Sequence, residues 1–120
     1  MHVGLIGLPQ AGKKTLLRLL TRVDASSAAP SAGGAIPGIC PVRDPRVERL
    51  RAMYTPKKTT PATIQYLLMP DMSKDSVKNQ ELLKALITVD VLAHVVRAFA
   101  DDTVFHLDGS VDPIRDIETV

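Results

Sequence analysis

Gly7-Leu8-Pro9-Gln10-Ala11-Gly12-Lys13-Lys14-Thr15 carries almost the whole pattern G-x-x-x-x-G-K-S/T of a loop that wraps phosphate groups. Such a loop needs a glycine where the chain leaves a strand, so that successive backbone N–H groups can curl around an anion. It needs a second glycine where the backbone comes closest to the phosphates, and a lysine to meet the outer oxygens. A helix must follow at once, so that its free N–H groups and dipole face negative charge. Gly7, Gly12 and Lys13 meet these demands, with the backbone of Pro9, Gln10 and Ala11 between them. The hydroxyl that should follow the lysine and hold Mg²⁺ is replaced by Lys14, and Thr15 comes one place later.

The flanks agree with this reading. Val3-Gly4-Leu5-Ile6 is a short apolar run suited to a buried strand, and Leu16, Leu19, Leu20 and Val23 recur at helical spacing after the loop. Residues 24–35 are rich in Ser, Ala and Gly and read as a flexible loop. Ile36 to Val42 is extended but holds two prolines, which predicts an edge strand. Asp44-Pro45 opens a helix as N-cap and first residue, with Val47, Leu50 and Tyr54 as its apolar face. Pro61 to Met69 is a strand that ends almost wholly apolar, as central parallel strands do. Residues 71–78 read as a polar loop, Glu81 to Ile87 as a helix with Leu82, Leu83 and Leu86 inward, and Val91 to Val96 as a third buried strand. The rest, Arg97 to Val120, is acidic and reads as mostly irregular. Strands alternating with helices, without internal repeats, predict a three-layer α/β fold with a mainly parallel sheet in a single domain spanning 1–120.

Bulk properties narrow the function classes. At 120 residues and 45% hydrophobic content the chain can bury a core. It holds no apolar run near the ~20 residues of a membrane span, so no membrane partner is expected. Its apolar N-terminus lacks the basic region of a secretory signal. A lone cysteine, Cys40, forms no internal disulfide, agrees with a reducing cytoplasm and reads as a buried strand residue. His94 within its strand reads as a satisfied core or strand-end residue, and no Cys/His or acidic cluster has the spacing of a metal loop. Net charge is +2, but residues 1–60 carry ten of the fifteen Lys and Arg against three acids, and residues 61–120 carry five against ten. A basic half holding the phosphate loop fits an anionic ligand or an RNA surface. Folding can equally mix the two halves, and a solvated helix face accounts for the Arg43–Lys58 segment without any partner.

Several longer stretches support a family resemblance: GLIGLPQAGKKTL (4–16), PVRDPRVERL (41–50), YTPKKTTPAT (54–63), VDVLAHVVRAFADD (89–102) and VDPIRDIE (111–118). Together they resemble the YchF family of Obg-like P-loop NTPases, from the first strand nearly to the last residue. The resemblance implies the fold of translational GTPases, binding and slow Mg²⁺-dependent hydrolysis of GTP or ATP, and association with the ribosome or its RNA. It implies that 1–120 form part of the G domain. The family's base-recognition N-x-x-E segment, coiled-coil insertion and TGS domain are absent from these residues. By the same resemblance Gly7, Gly12 and the backbone of Pro9 to Ala11 cradle phosphate, Lys13 pairs with it, and Thr15 touches the α-phosphate.

The departures fall on metal-linked positions. The family's loop ends G-K-S-T, and Lys14 stands where the Mg²⁺-binding serine belongs. The family's metal-closing threonine is replaced by the stretch Ser31-Ala32-Gly33, and its D-I-A-G by Leu68-Met69-Pro70-Asp71. Pro70 lacks an N–H, and Asp71 sets a carboxylate where the γ-phosphate should sit. Phosphoryl transfer relies on Mg²⁺ bridging the β and γ oxygens, so hydrolysis is expected to be impaired, with no catalytic residue and no metal ligand assignable. The Lys14 ammonium is a candidate substitute for the missing cation. The alternative is a nucleotide-free relative that serves as a protein or ribosome interaction module. Without further strands, the sheet is expected to present an open edge that invites dimerisation.

Overall fold

A computed structural model of the chain describes residues 1–31, 34–71 and 76–120, with only the backbone at 76–79 and 81. Among these residues strands and helices alternate: β1 His2–Ile6, α1 Lys13–Thr21, β2 Ile36–Pro41, α2 Pro45–Tyr54, β3 Thr63–Leu68, α3 Ser76–Leu86, β4 Val91–His94 and α4 Pro113–Thr119. The sheet order is β2-β3-β1-β4. β1 lies at its centre, parallel to β3 on one side and to β4 on the other, with Leu5 level with both Leu68 and Ala93. β2 joins the outer side of β3 antiparallel, Gly38 level with Tyr66. This is the expected mainly parallel α/β sheet.

The two-residue period of the strands distributes the core to both faces of the sheet. Leu5 and Leu68 meet Leu17 of α1, with Tyr66 and Ala93 packed around them. Leu67 and Met69 point the other way, toward Leu82 and Ala85 of α3, where Ile6, Leu86 and Val89 close the cluster. Helix, sheet and helix thus make three layers. Leu5, Leu17 and Met69 are fully buried, each contributing about 1.5–3 kcal/mol through lost apolar surface. Gly4 lets the layers close, since a Cβ there would stand 2.9 Å from the Met69 Cε.

Several expectations are corrected. In α1 Leu17 is the buried leucine, with Leu16 of the expected face packed partly against the same cluster; Leu19 is 76% exposed, and the helix ends at Thr21, before Val23, with Arg22 in the left-handed region. A leucine-rich run satisfies more than one helical stripe, and the position of the strand selects among them. α2 starts as expected, with Asp44 accepting from the Arg46 N–H and Pro45 first in the helix, yet buries no residue; Leu50 and Tyr54 lie in solvent. α3 begins at Ser76, five residues earlier than expected, and Leu83 faces outward. β4 closes at His94 instead of Val96 and is an edge strand with Val91 and Leu92 about half exposed, not a buried one. The segment after Arg97 contains α4, capped by Asp112 with Pro113 first, the same signal that opens α2. Cys40 is only half-buried on edge strand β2. Part of the expected loop at 24–35, Ala32 and Gly33, and half of that at 71–78, residues 72–75, lie outside the described residues, while 76–78 belong to α3 and not to a loop.

Among the described residues no helix is long and apolar enough to cross a membrane.

Candidate functional site

β1 delivers the chain to the loop at the edge where the parallel strands end. Gly7 is mandatory there. Its φ is +143°, and a Cβ would stand 2.3 Å from the Val95 carbonyl oxygen, which belongs to the chain leaving β4. Gln10 (φ 60°) and Gly12 (φ 98°) then turn through the left-handed region, so the backbone curls before α1 begins at Lys13. A Cβ at Gly12 would meet nothing within 4 Å, so what that position requires is the backbone angle.

The Leu16 N–H donates to the Gly12 carbonyl and starts the helical ladder. The four N–H groups before it, from Gly12 to Thr15, find no acceptor among the described residues. The same four residues help line a cleft of about 530 Å³, together with Pro9, Gln10, Asp71, Phe99 and Val104. That volume lies within the ~300–1,000 Å³ range of ligand sites. The structure thus gathers the loop residues from Pro9 to Thr15 around one cleft, with Ala11 and Gly7 turned into its buried underside.

Lys13 has its ammonium engaged by the protein itself. Its side chain is 4% exposed, and its ammonium donates to the Gly7 carbonyl at 2.6 Å and the Leu8 carbonyl at 2.7 Å. Its third contact is an ion pair with the Asp71 carboxylate, Nζ to Oδ1 2.7 Å. Asp71 follows Met69 and Pro70, just where the Met69 N–H gives the last ladder bond to the Leu5 carbonyl. Lys14 and Thr15 are exposed at the rim of the cleft.

Among the described residues, the side chains lining the cleft are a poor match for Mg²⁺, a hard cation that seeks several oxygens in octahedral array. Among the described residues the one carboxylate lining the cleft, Asp71, is taken by Lys13, and position 14 presents an ammonium. Pro70 offers no N–H beside it. Of the expected metal-linked positions, Ala32 and Gly33 lie outside the described residues.

The far wall of the cleft comes from the segment expected to be irregular. Arg97, 3% exposed, donates to the carbonyls of Phe99 (3.2 Å), Asp101 (3.0 Å), Val104 (3.0 Å) and Phe105 (3.2 Å). Its guanidinium also lies over the Phe99 ring, 4.7 Å from the centroid. One buried arginine therefore shapes the loop that brings Phe99 and Val104 to the phosphate loop. An arginine at the end of an apolar strand is the only hint of this in the sequence.

Beneath the loop, Leu8, Pro9 and Ala11 pack along a closed seam with His94, His106 and Asp116. His106 accepts the Asp108 N–H on Nδ1, at 3.2 Å, and so donates from Nε2 to Asp116, at 2.9 Å. Arg115 completes the pairing of Asp116 at 3.1 Å. Burial acts to raise the Asp116 carboxyl, but the hydrogen bonds from His106 and Arg115, with the charge of Arg115, outweigh it and hold it below its usual range. Oxygen and nitrogen atoms of His106, Asp108 and Asp116 lie within 4.8 Å of one another, a cluster that no sequence spacing announced. Their hydrogen bonds account for it as a brace under the loop. His94 stands at a strand end as expected, but its buried Nε2 lacks a partner among the described residues.

No family model matches the chain. It is 39% identical over 126 residues to the ribosome-binding ATPase YchF of Bacillus subtilis, covering 100% of this chain and 34% of that protein. It is 32% identical to the protein of the same name in Shigella flexneri (98% and 34% covered) and 32% identical to the Obg-like ATPase homolog of Schizosaccharomyces pombe (100% and 31%). The solved YchF GTPase of Schizosaccharomyces pombe superposes with a TM-score of 0.70 at 26% identity, over 99% of this chain and 33% of that one. The chain therefore spans about a third of the length of the relatives it matches. With a glycine loop turning from a central parallel strand into a helix, and relatives of one kind along its whole length, the chain belongs to the YchF/Obg-like family of P-loop proteins.

Proposed function

We propose that this chain is the phosphate-binding segment of a YchF-type nucleotide-binding protein, holding a purine nucleotide, GTP or ATP, in the loop from Gly7 to Thr15. The observation that carries the proposal is the row of N–H donors from Gly12 to Thr15, without acceptors among the described residues, in residues that line a ligand-sized cleft. Gly7, Gly12 and the backbone of Pro9, Gln10 and Ala11 form the cradle, and Thr15 lies at its rim. Lys14 supplies positive charge from solvent where a metal would otherwise stand. Mg²⁺-dependent hydrolysis is impaired, because the side chains at the cleft are a poor match for the cation that organises phosphoryl transfer. The relatives' names extend the proposal to a ribosome-bound protein working in the cytoplasm.

Calorimetric titration of ATP and GTP, each with Mg²⁺ and again in EDTA, tests the nucleotide reading. Binding that survives EDTA is the expected result, with phosphate release close to the uncatalysed background. Absence of heat in folded protein would defeat it. A second reading is an empty loop retained within a protein or ribosome interaction module. It is favoured by one observation, the complete engagement of the Lys13 ammonium by the protein itself. Cosedimentation with ribosomes that is indifferent to added nucleotide is the result that reading requires.

A further inference from the structure

An ammonium has three protons to donate. In this chain all three have internal acceptors: the carbonyls of Gly7 and Leu8 and the carboxylate of Asp71, at 2.6, 2.7 and 2.7 Å. A phosphate loop ordinarily sends that lysine to the β and γ oxygens of its ligand. Here the anion already at the lysine is part of the protein. The backbone donors from Gly12 to Thr15, in contrast, have no acceptor among the described residues, and all four residues line the cleft. The loop therefore combines an ammonium bound by the protein with N–H groups that have no acceptor among the described residues.

From this division we infer that Asp71 makes the site selective for a nucleoside diphosphate over the triphosphate. The inference rests on the nucleotide reading above. A diphosphate can lodge its terminal phosphate against the N–H groups at the start of α1 and leave the Lys13–Asp71 pair intact. A third phosphate must either displace the Asp71 carboxylate from Lys13 or sit beside it as a like charge. Both cost affinity: the Lys13 ammonium is 4% exposed, so losing its carboxylate is little screened, while repulsion from the half-exposed Asp71 adds a smaller, salt-dependent part. Asp71 itself is 51% exposed, so it closes over the lysine from the solvent side, the direction from which a ligand arrives. Pro70 before it narrows the backbone angles through which the carboxylate is presented.

The test is calorimetric titration of ADP, GDP, ATP and GTP in EDTA against the chain as given and against Asp71→Asn. Asp71→Ser serves as a second variant, and thermal melting monitors folding. The expected result is a Kd at least about tenfold lower for diphosphates than for triphosphates, with the ratio falling to near one in both variants through tighter triphosphate binding. Equal affinity for the two ligands in the unaltered chain overturns the selectivity and leaves the nucleotide reading standing. A ratio that both folded variants retain overturns the role of Asp71. No binding by any folded form overturns the selectivity and the nucleotide reading together.

Discussion

At the scale of single residues, two lysines next to each other have opposite fates. Lys13 is buried and consumed by carbonyls and Asp71, while Lys14 points to solvent at the rim of the cleft. Lys14→Ser is therefore expected to weaken nucleotide binding in EDTA by about two- to fivefold, the effect of an exposed charge pair, and calorimetry checks it. An unchanged Kd would remove Lys14 from the site. The glycines separate in the same way. Gly7→Ala forces a Cβ against the Val95 carbonyl at a positive φ and is expected to cost about 2–4 kcal/mol in urea unfolding. Gly12→Ala meets open space and should cost only the ~1 kcal/mol of the backbone angle. The identity of these residues was legible in the sequence, because glycine and lysine at fixed spacing have few other uses. What Lys13 would bind was not, since that depended on the length of β3 and where Asp71 emerges from it.

At the scale of elements, the segment after β4 shows how a buried charge can organise a loop without secondary structure. Arg97→Ala would leave four carbonyls without their donor and is expected to cost about 2–4 kcal/mol. Faster hydrogen exchange confined at first to residues 98–105 is the specific signature, and uniform destabilisation without it would argue against the role. α2 shows the opposite case. Its N-cap and proline were legible, but its apolar face finds no partner among the described residues, and two of its arginines are answered locally. Arg46 pairs with Asp44 at 2.7 Å, and Arg51 approaches Glu48 at 3.9 Å. These pairs engage two of the six basic side chains between Arg43 and Lys58, a pairing that periodicity and charge alone could not decide.

At the scale of the whole molecule, acid sensitivity follows from carboxylates that are hydrogen-bonded when folded. Asp116 is held below its usual value by His106 and Arg115 against the effect of burial, Asp44 by Arg46, and Asp101 by Thr103. A carboxyl with a lowered folded pKa adds stability that is fully present above the ordinary value of 3.8 and is lost as pH falls through the folded one. Melting temperature should thus decline below about pH 4, and Asp116→Asn should flatten that decline; an unchanged slope would show that the pair under the loop contributes nothing to it. β4 pairs with β1 on one side only, and Val91 and Leu92 are half exposed. Pairing of two copies along this edge is expected at high concentration, and Leu92→Lys should abolish it in light scattering. A monomer at every concentration would refute the edge pairing.

The sequence by itself determined the alternation of strands and helices, the position of the phosphate loop and the family, because these rest on local spacing: glycines, a lysine, caps and apolar runs. The tertiary structure alone decided which leucine of α1 is buried, that β4 is an edge, and that α2 stands in solvent. It also decided that the loop's lysine is already paired with a carboxylate fifty-eight positions away. Burial and long-range ion pairs depend on which surfaces the fold brings together, and no window of neighbouring residues contains that information.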